Sequence, residues 1–85
     1  MEILWTKAAA EDVDYWKKNN QKHVKKIKAL LDDIIQHPYE GIGKPEPLKY
    51  HLSGLWSRRI TREHRLIYKP QNDHIIILSC RHHYE

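Results

Sequence analysis

The sequence predicts an α+β domain in the order β-α-α-β-β-β-β, with two N-terminal helices packed on a mostly antiparallel sheet. Three observations predict it. Apolar residues recur at helical spacing between residues 7 and 37. Residues 38–47, PYEGIGKPEP, concentrate three of the four prolines and two of the three glycines in one loop. Beyond that loop the apolar residues come in short runs separated by turn residues. Helices thus fall on one side of the loop and strands on the other, the segregation typical of α+β chains. With 85 residues and no internal repeat or linker, residues 1–85 read as one domain. A chain this short buries only about 60% of its unfolded surface, so its core is small.

The elements follow in order. Ile3-Leu4-Trp5 is a short apolar strand, and Thr6 after it is a natural helix N-cap. Lys7 to about Asn19 forms the first helix, with Ala8–Ala10 as strong formers and Glu11 and Asp12 near its positive end. Asn19-Asn20 breaks it. From Gln21 to His37, Val24, Ile27, Leu30, Leu31, Ile34 and Ile35 share one face, while Lys22, Lys25, Lys26 and Lys28 point to water. Pro38 closes this second helix, and so short a break implies an antiparallel pair. The proline-glycine loop follows, stiff at the prolines and free to bend at Gly41 and Gly43.

The strand half begins with Leu48–Leu52 and Leu55–Thr61 around a Ser53-Gly54 turn. Arg62-Glu63 leads into His64–Lys69, and Pro70-Gln71-Asn72-Asp73 turns into His74–Cys80. Ile75-Ile76-Ile77-Leu78 lacks alternation, which suits a central strand buried on both sides. The hairpin register stays open at this level. A two-residue turn between Thr61 and His64 puts Arg59 and Arg65 on opposite faces, whereas a three-residue turn or a bulge puts them directly across from each other.

Charge separates the two halves. The net charge is +4. Its excess lies in residues 44–69, where Lys44, Lys49, Arg58, Arg59, Arg62, Arg65 and Lys69 outnumber Glu46 and Glu63. Clustered arginine is the footprint of a phosphate-binding surface; a solvated basic face without ligand is the plain alternative. The sole cysteine, Cys80, cannot form an internal disulfide, which favours a reducing cytoplasm. The N-terminus lacks the pattern of a signal peptide, and no stretch approaches the roughly 20 apolar residues that span a bilayer. A cytoplasmic protein with no membrane partner is expected.

RNA is cleavable without a metal because its own 2′-hydroxyl attacks the adjacent phosphate. The reaction needs a base for the hydroxyl proton, an acid for the departing 5′-oxygen and a cation for the pentavalent phosphorane. Glu46, between Pro45 and Pro47, offers the base; a loop glutamate paired with a lysine is the competing reading. Four arginines in the same stretch offer planar forks for phosphate oxygens. His82 and His83 offer an acid, although consecutive strand positions point to opposite faces, so one at most faces a given site. Tyr84 suits stacking on a base, or simply covers the core. The seven histidines show no i,i+4 pair and no cysteine spacing of a zinc site, and the basic half has too few acids for two-metal chemistry. No metal and no cofactor is expected, and Cys80 reads as core rather than nucleophile.

The residues also carry a resemblance. Glu40-Gly41-Ile42-Gly43-Lys44-Pro45-Glu46-Pro47-Leu48-Lys49, Leu52-Ser53-Gly54-Leu55-Trp56-Ser57-Arg58-Arg59-Ile60-Thr61 and Glu63-His64-Arg65-Leu66-Ile67-Tyr68 are the stretches that bear it. With Leu4-Trp5, Tyr15-Trp16, Lys25-Lys26-Ile27 and the ending Cys80-Arg81-His82-His83-Tyr84, the chain resembles the YoeB (Txe/YoeB) toxins of bacterial type II toxin–antitoxin modules. The likeness runs over essentially the whole chain. It implies a RelE/ParE-type fold and a ribosome-dependent endoribonuclease that cleaves the A-site codon of mRNA and halts translation. By the same resemblance Glu46 is the general base, Arg65 the phosphate-stabilising arginine and His83 the general acid. Lys49 and Arg59 match positions that hold RNA phosphates, and Tyr84 matches a terminal aromatic. The resemblance further implies a homodimer and neutralisation by a YefM-type antitoxin. Glu85 extends beyond the usual terminal tyrosine and is expected to alter activity rather than abolish it. Two other functions remain compatible with the fold: a non-enzymatic, ParE-like gyrase inhibitor and a passive RNA- or ribosome-binding module.

Overall fold

A computed structural model describes residues 1–82. Strand β1 (Glu2–Trp5) leads into α1 (Lys7–Asn19) and α2 (Gln21–Gln36). After the proline-glycine loop come β2 (Glu46–Pro47), a 3-10 turn (Tyr50–Leu52), β3 (Trp56–Arg59), β4 (Arg65–Pro70) and β5 (His74–Ser79). The sheet order is β1-β5-β4-β3-β2. β1 runs parallel to β5 and every other neighbouring pair is antiparallel.

Thr6 is the cap the sequence implied, and Asn20, read there as a helix breaker, also caps α2. The Thr6 hydroxyl accepts the Ala9 N–H at 3.1 Å and donates to the Ile77 carbonyl at 2.9 Å, so one side chain starts α1 and docks it on β5. Asn20 ends α1 and caps α2, its amide oxygen accepting the N–H groups of Lys22 and His23. α2 stops at Gln36, one residue before the expected end, with the His37 N–H closing onto the Asp33 carbonyl at 2.7 Å. Ala9 and Trp16 from α1, Ile27, Leu30 and Ile34 from α2, and Leu66, Tyr68, Ile75 and Ile77 from the sheet make one buried core. Truncating fully buried Leu30 to Ala would cost about 2–5 kcal/mol.

Several boundaries differ from expectation. Residues 48–52 do not form a strand. The strand is the two-residue Glu46–Pro47, and Tyr50–Leu52 coil into a 3-10 turn. Tyr50 takes a left-handed φ of 58°, which no strand accommodates. Backbone bonds from Leu52 to Lys49, Ser53 to Tyr50 and Leu55 to Leu52 close successive turns there. β4 is shifted one residue onward and admits Pro70 at its end, where Pro70 pairs with Ile75. β5 is an interior strand between β1 and β4, but it buries only one face fully: Ile75 and Ile77 are inaccessible, while Ile76 and Leu78 are half-buried. A bulge at Leu78 lets Tyr68 pair with Ile77 and Ile67 with Ser79.

Arg58 overturns the simplest reading of the basic stretch, because it belongs to the interior. Its side chain is fully buried and pairs with the Asp33 carboxylate. Its guanidinium also donates to the carbonyls of Ile42 (3.1 Å), Glu40 (2.7 Å) and His37, and its Nε–H to the Tyr68 hydroxyl (3.2 Å). The Tyr68 hydroxyl in turn donates to the Pro38 carbonyl at 2.7 Å. One arginine therefore gathers the loop between α2 and β2 onto β3. Gly41 makes the approach possible: its φ is +119°, and a Cβ there would lie 1.9 Å from the Asp33 carboxylate.

Candidate functional site

The strand register decides which side chains share a face. Residues paired across a sheet point the same way, and alternate residues of one strand do too. Trp56, Arg58, Leu66 and Tyr68 are paired across β3 and β4 and belong to the helix-covered face. The intervening residues therefore line the opposite face. Glu46 of β2 is paired with Ser57 of β3, Ser57 with Ile67 of β4, and Ile67 with Ser79 of β5. One step along, Arg59 stands directly across from Arg65. The open register question is thus answered in favour of the same-face pairing.

Loop chemistry accounts for that register. The Thr61 hydroxyl accepts the N–H groups of Glu63 and His64, each at 3.1 Å, and the His64 carbonyl accepts those of Ile60 and Thr61. The reversal occupies residues 60–64 and leaves Arg59 and Arg65 as the last pair of the ladder. On the far side, the Arg59 N–H donates to the Gly43 carbonyl at 2.7 Å, which brings the proline-glycine loop to the end of β3.

Ser57 and Ile67, both buried, form a floor between the glutamate and the arginines. Arg65 Nη1 reaches over it to the Ser57 hydroxyl at 3.5 Å. The Nε–H groups of Arg59 and Arg65 are buried and have no acceptor among the described residues. Two half-buried guanidinium groups with donors to spare are what the non-bridging oxygens of a phosphodiester satisfy. Glu46 and Arg65 lie two strands and two residues apart, so roughly 12 Å separates their backbones and the long side chains close the gap. Glu46 is exposed, and with Lys49 it lines a hollow of about 300 Å³ formed by residues 46–52. Lys49 precedes the 3-10 turn and is exposed.

Of the expected site residues, Glu46, Arg59 and Arg65 share this face, and Lys49 flanks it. His83 and Tyr84 lie outside the described residues. The last described residue, His82, lies beside Arg65, whose N–H donates to the His82 carbonyl at 2.8 Å. Ser57 was not anticipated, although its alternation with Arg59 in β3 is the signal that marks it. Cys80 is buried, and burial pushes its thiol up to about 12, which removes it as a nucleophile at neutral pH. Among the described residues no three His, Cys, Asp or Glu side chains cluster to hold a metal ion, and no helix is long and apolar enough to cross a membrane.

The chain is similar to known proteins over nearly its whole length. Residues 5–84 match the family described as the YoeB-like toxin of bacterial type II toxin-antitoxin system. Toxin YoeB of Escherichia coli K12 is 49% identical over 84 residues, which is 99% of this chain and 100% of that protein. The YoeB dimer from Staphylococcus aureus superposes with a TM-score of 0.92 at 48% identity, covering 99% of this chain and 98% of that one. The YoeB-YefM complex from the same organism gives a TM-score of 0.90 at 49% identity with the same coverage.

Proposed function

This chain belongs to the YoeB-like toxin family of bacterial type II toxin–antitoxin systems, and we propose that it is a ribosome-dependent, metal-independent mRNA endoribonuclease. The observation that carries the reading is the shared sheet face of Glu46, Arg59 and Arg65. In this mechanism Glu46 takes the 2′-hydroxyl proton as the oxygen attacks the neighbouring phosphorus. Arg65, helped by Arg59 and Lys49, holds the non-bridging oxygens as negative charge builds on the phosphorane. His83 gives a proton to the departing 5′-oxygen, and Tyr84 stacks on a base. The products are a 2′,3′-cyclic phosphate and a 5′-hydroxyl. The ribosome presents the A-site codon, and cleavage there stops translation in the cytoplasm.

The relatives in Staphylococcus aureus suggest the assembly: a homodimer, held inactive by a YefM-type antitoxin. An acidic antitoxin segment over the Arg59–Arg65 face would occupy the donors that RNA phosphate needs.

Mapping transcript 5′ ends after brief induction tests the reading. Wild type is expected to produce cuts within translated codons, and Glu46→Ala and His83→Ala to lose them while still binding antitoxin. Growth arrest with intact message would instead favour a gyrase-type inhibitor, and ribosome association without cuts a passive binder.

A further inference from the structure

From Cys80 to His82 the chain is fastened residue by residue. The Cys80 N–H donates to the Asp12 carboxylate at 2.9 Å, and the Cys80 carbonyl accepts the Trp16 indole N–H at 2.8 Å. The Arg81 guanidinium lies 3.5 Å from the centroid of the Tyr15 ring. The His82 N–H donates to His64 Nδ1 at 2.8 Å, and its carbonyl accepts the Arg65 N–H at 2.8 Å.

His82 itself has a φ of 60°. A side chain in that left-handed region is strained, and such conformations persist where surrounding contacts over-determine them. Here the two hydrogen bonds lie on either side of the strained residue. One comes from the backbone of Arg65. The other depends on a single side-chain lone pair, that of His64.

We propose that His64 is a positioning residue for the C-terminal acid: seated on Trp16, its neutral ring accepts the His82 N–H and fixes where the chain leaves the sheet toward His83. The proposal rests on the nuclease reading above for its consequence, but not for its structural basis. Trp16 meets the His64 ring edge-on with centroids 4.8 Å apart, and the loop backbone holds His64 through Ile60 and Thr61. With Nδ1 as acceptor, the ring proton must sit on Nε2. A second proton at Nδ1 would oppose two donors and break the bond.

The surroundings keep the ring neutral. It faces Trp16 of α1, His23 of α2, Glu63 of its own loop, and Arg81 and His82 of the C-terminal stretch. Burial, then the positive charges available to His82, His23 and Arg81, hold its pKa below 6.5, against a smaller opposing pull from Glu63. The latch is therefore closed at neutral pH and opens on acidification.

The test compares His64→Asn, whose amide oxygen can replace the Nδ1 acceptor, with His64→Leu, which cannot. Amide hydrogen exchange at His82 and single-turnover cleavage of ribosome-bound message are measured on both. His64→Leu should lose His82 protection and slow cleavage by about 10- to 100-fold, the scale of a small misplacement of a reacting group. His64→Asn should keep the protection and stay within about threefold of wild type. In wild type the protection factor should fall as pH drops through the lowered pKa of His64, and in His64→Asn it should not. Equal behaviour of the two variants, or wild-type protection that persists through His64 protonation, overturns the proposal. If Leu prevents folding, the Asn variant and the wild-type pH series still decide it. Absence of cleavage by wild type would refute the nuclease reading and leave the exchange measurements to judge the latch.

Discussion

Arg59 and Arg65 stand directly opposite each other on β3 and β4, on the face away from the helices. Like charges at opposed strand positions oppose folding, by roughly 0.2–1 kcal/mol. A bound phosphate would relieve that repulsion. Arg59→Ala is therefore expected to leave the melting temperature unchanged or raise it, while weakening RNA binding and its dependence on salt. Thermal melts and ribosome binding at two ionic strengths check both halves.

Arg65 carries more of the chemistry in this scheme than Arg59. Arg65→Ala should lower the cleavage rate by about 10²–10³-fold, the usual loss on removing one charge-stabilising donor. Single-turnover cleavage on purified ribosomes measures it.

Arg58 should behave in the opposite way. Arg58 is fully buried but the Asp33 side chain is 23% exposed, so removing either partner should cost less than the about 3–5 kcal/mol of a fully buried pair; Arg58→Met and Asp33→Asn should both still lose stability in urea titrations. The pH dependence has a definite sign. The Arg58 guanidinium holds the Asp33 carboxyl below its ordinary 3.8. A group whose folded pKa is depressed contributes fully above the unfolded value and loses that contribution as pH falls through the folded one. Wild type should thus lose stability below about pH 4, and Asp33→Asn should lack that part of the acid transition.

Gly41→Ala should reproduce much of the Arg58 defect without touching a charge. The new methyl would collide with the Asp33 carboxylate, at a φ of +119° that only glycine takes easily. A loss of about 1–3 kcal/mol is expected in the same titrations.

The helices, the Thr6 cap and the break at Asn19-Asn20 were legible because their determinants are local: Thr6 sits beside the N–H group it caps. The two-residue β2 was not, because Glu46–Pro47 is a strand only through its partner β3. Leu48–Leu52 looked like that strand by composition, and the left-handed Tyr50 undid it. The Arg59–Arg65 register depended on how Thr61 and His64 close their loop, and a hydropathy pattern does not encode that. Arg58 was grouped with the surface arginines because nothing near it in sequence reveals Asp33 and three loop carbonyls around its guanidinium. For the site, composition alone pointed to a phosphate-binding stretch. The roles assigned to Glu46, Arg65 and His83 came with the family resemblance.

Attack by the substrate's own 2′-hydroxyl is the step on which every assigned role depends. Placing a single 2′-deoxynucleotide at the cut position of a ribosome-bound message tests it most directly. The unmodified message should yield fragments with 5′-hydroxyl ends, and the deoxy-substituted one should remain whole. Cleavage of the deoxy-substituted message at the same position, or fragments bearing 5′-phosphates, would contradict the mechanism.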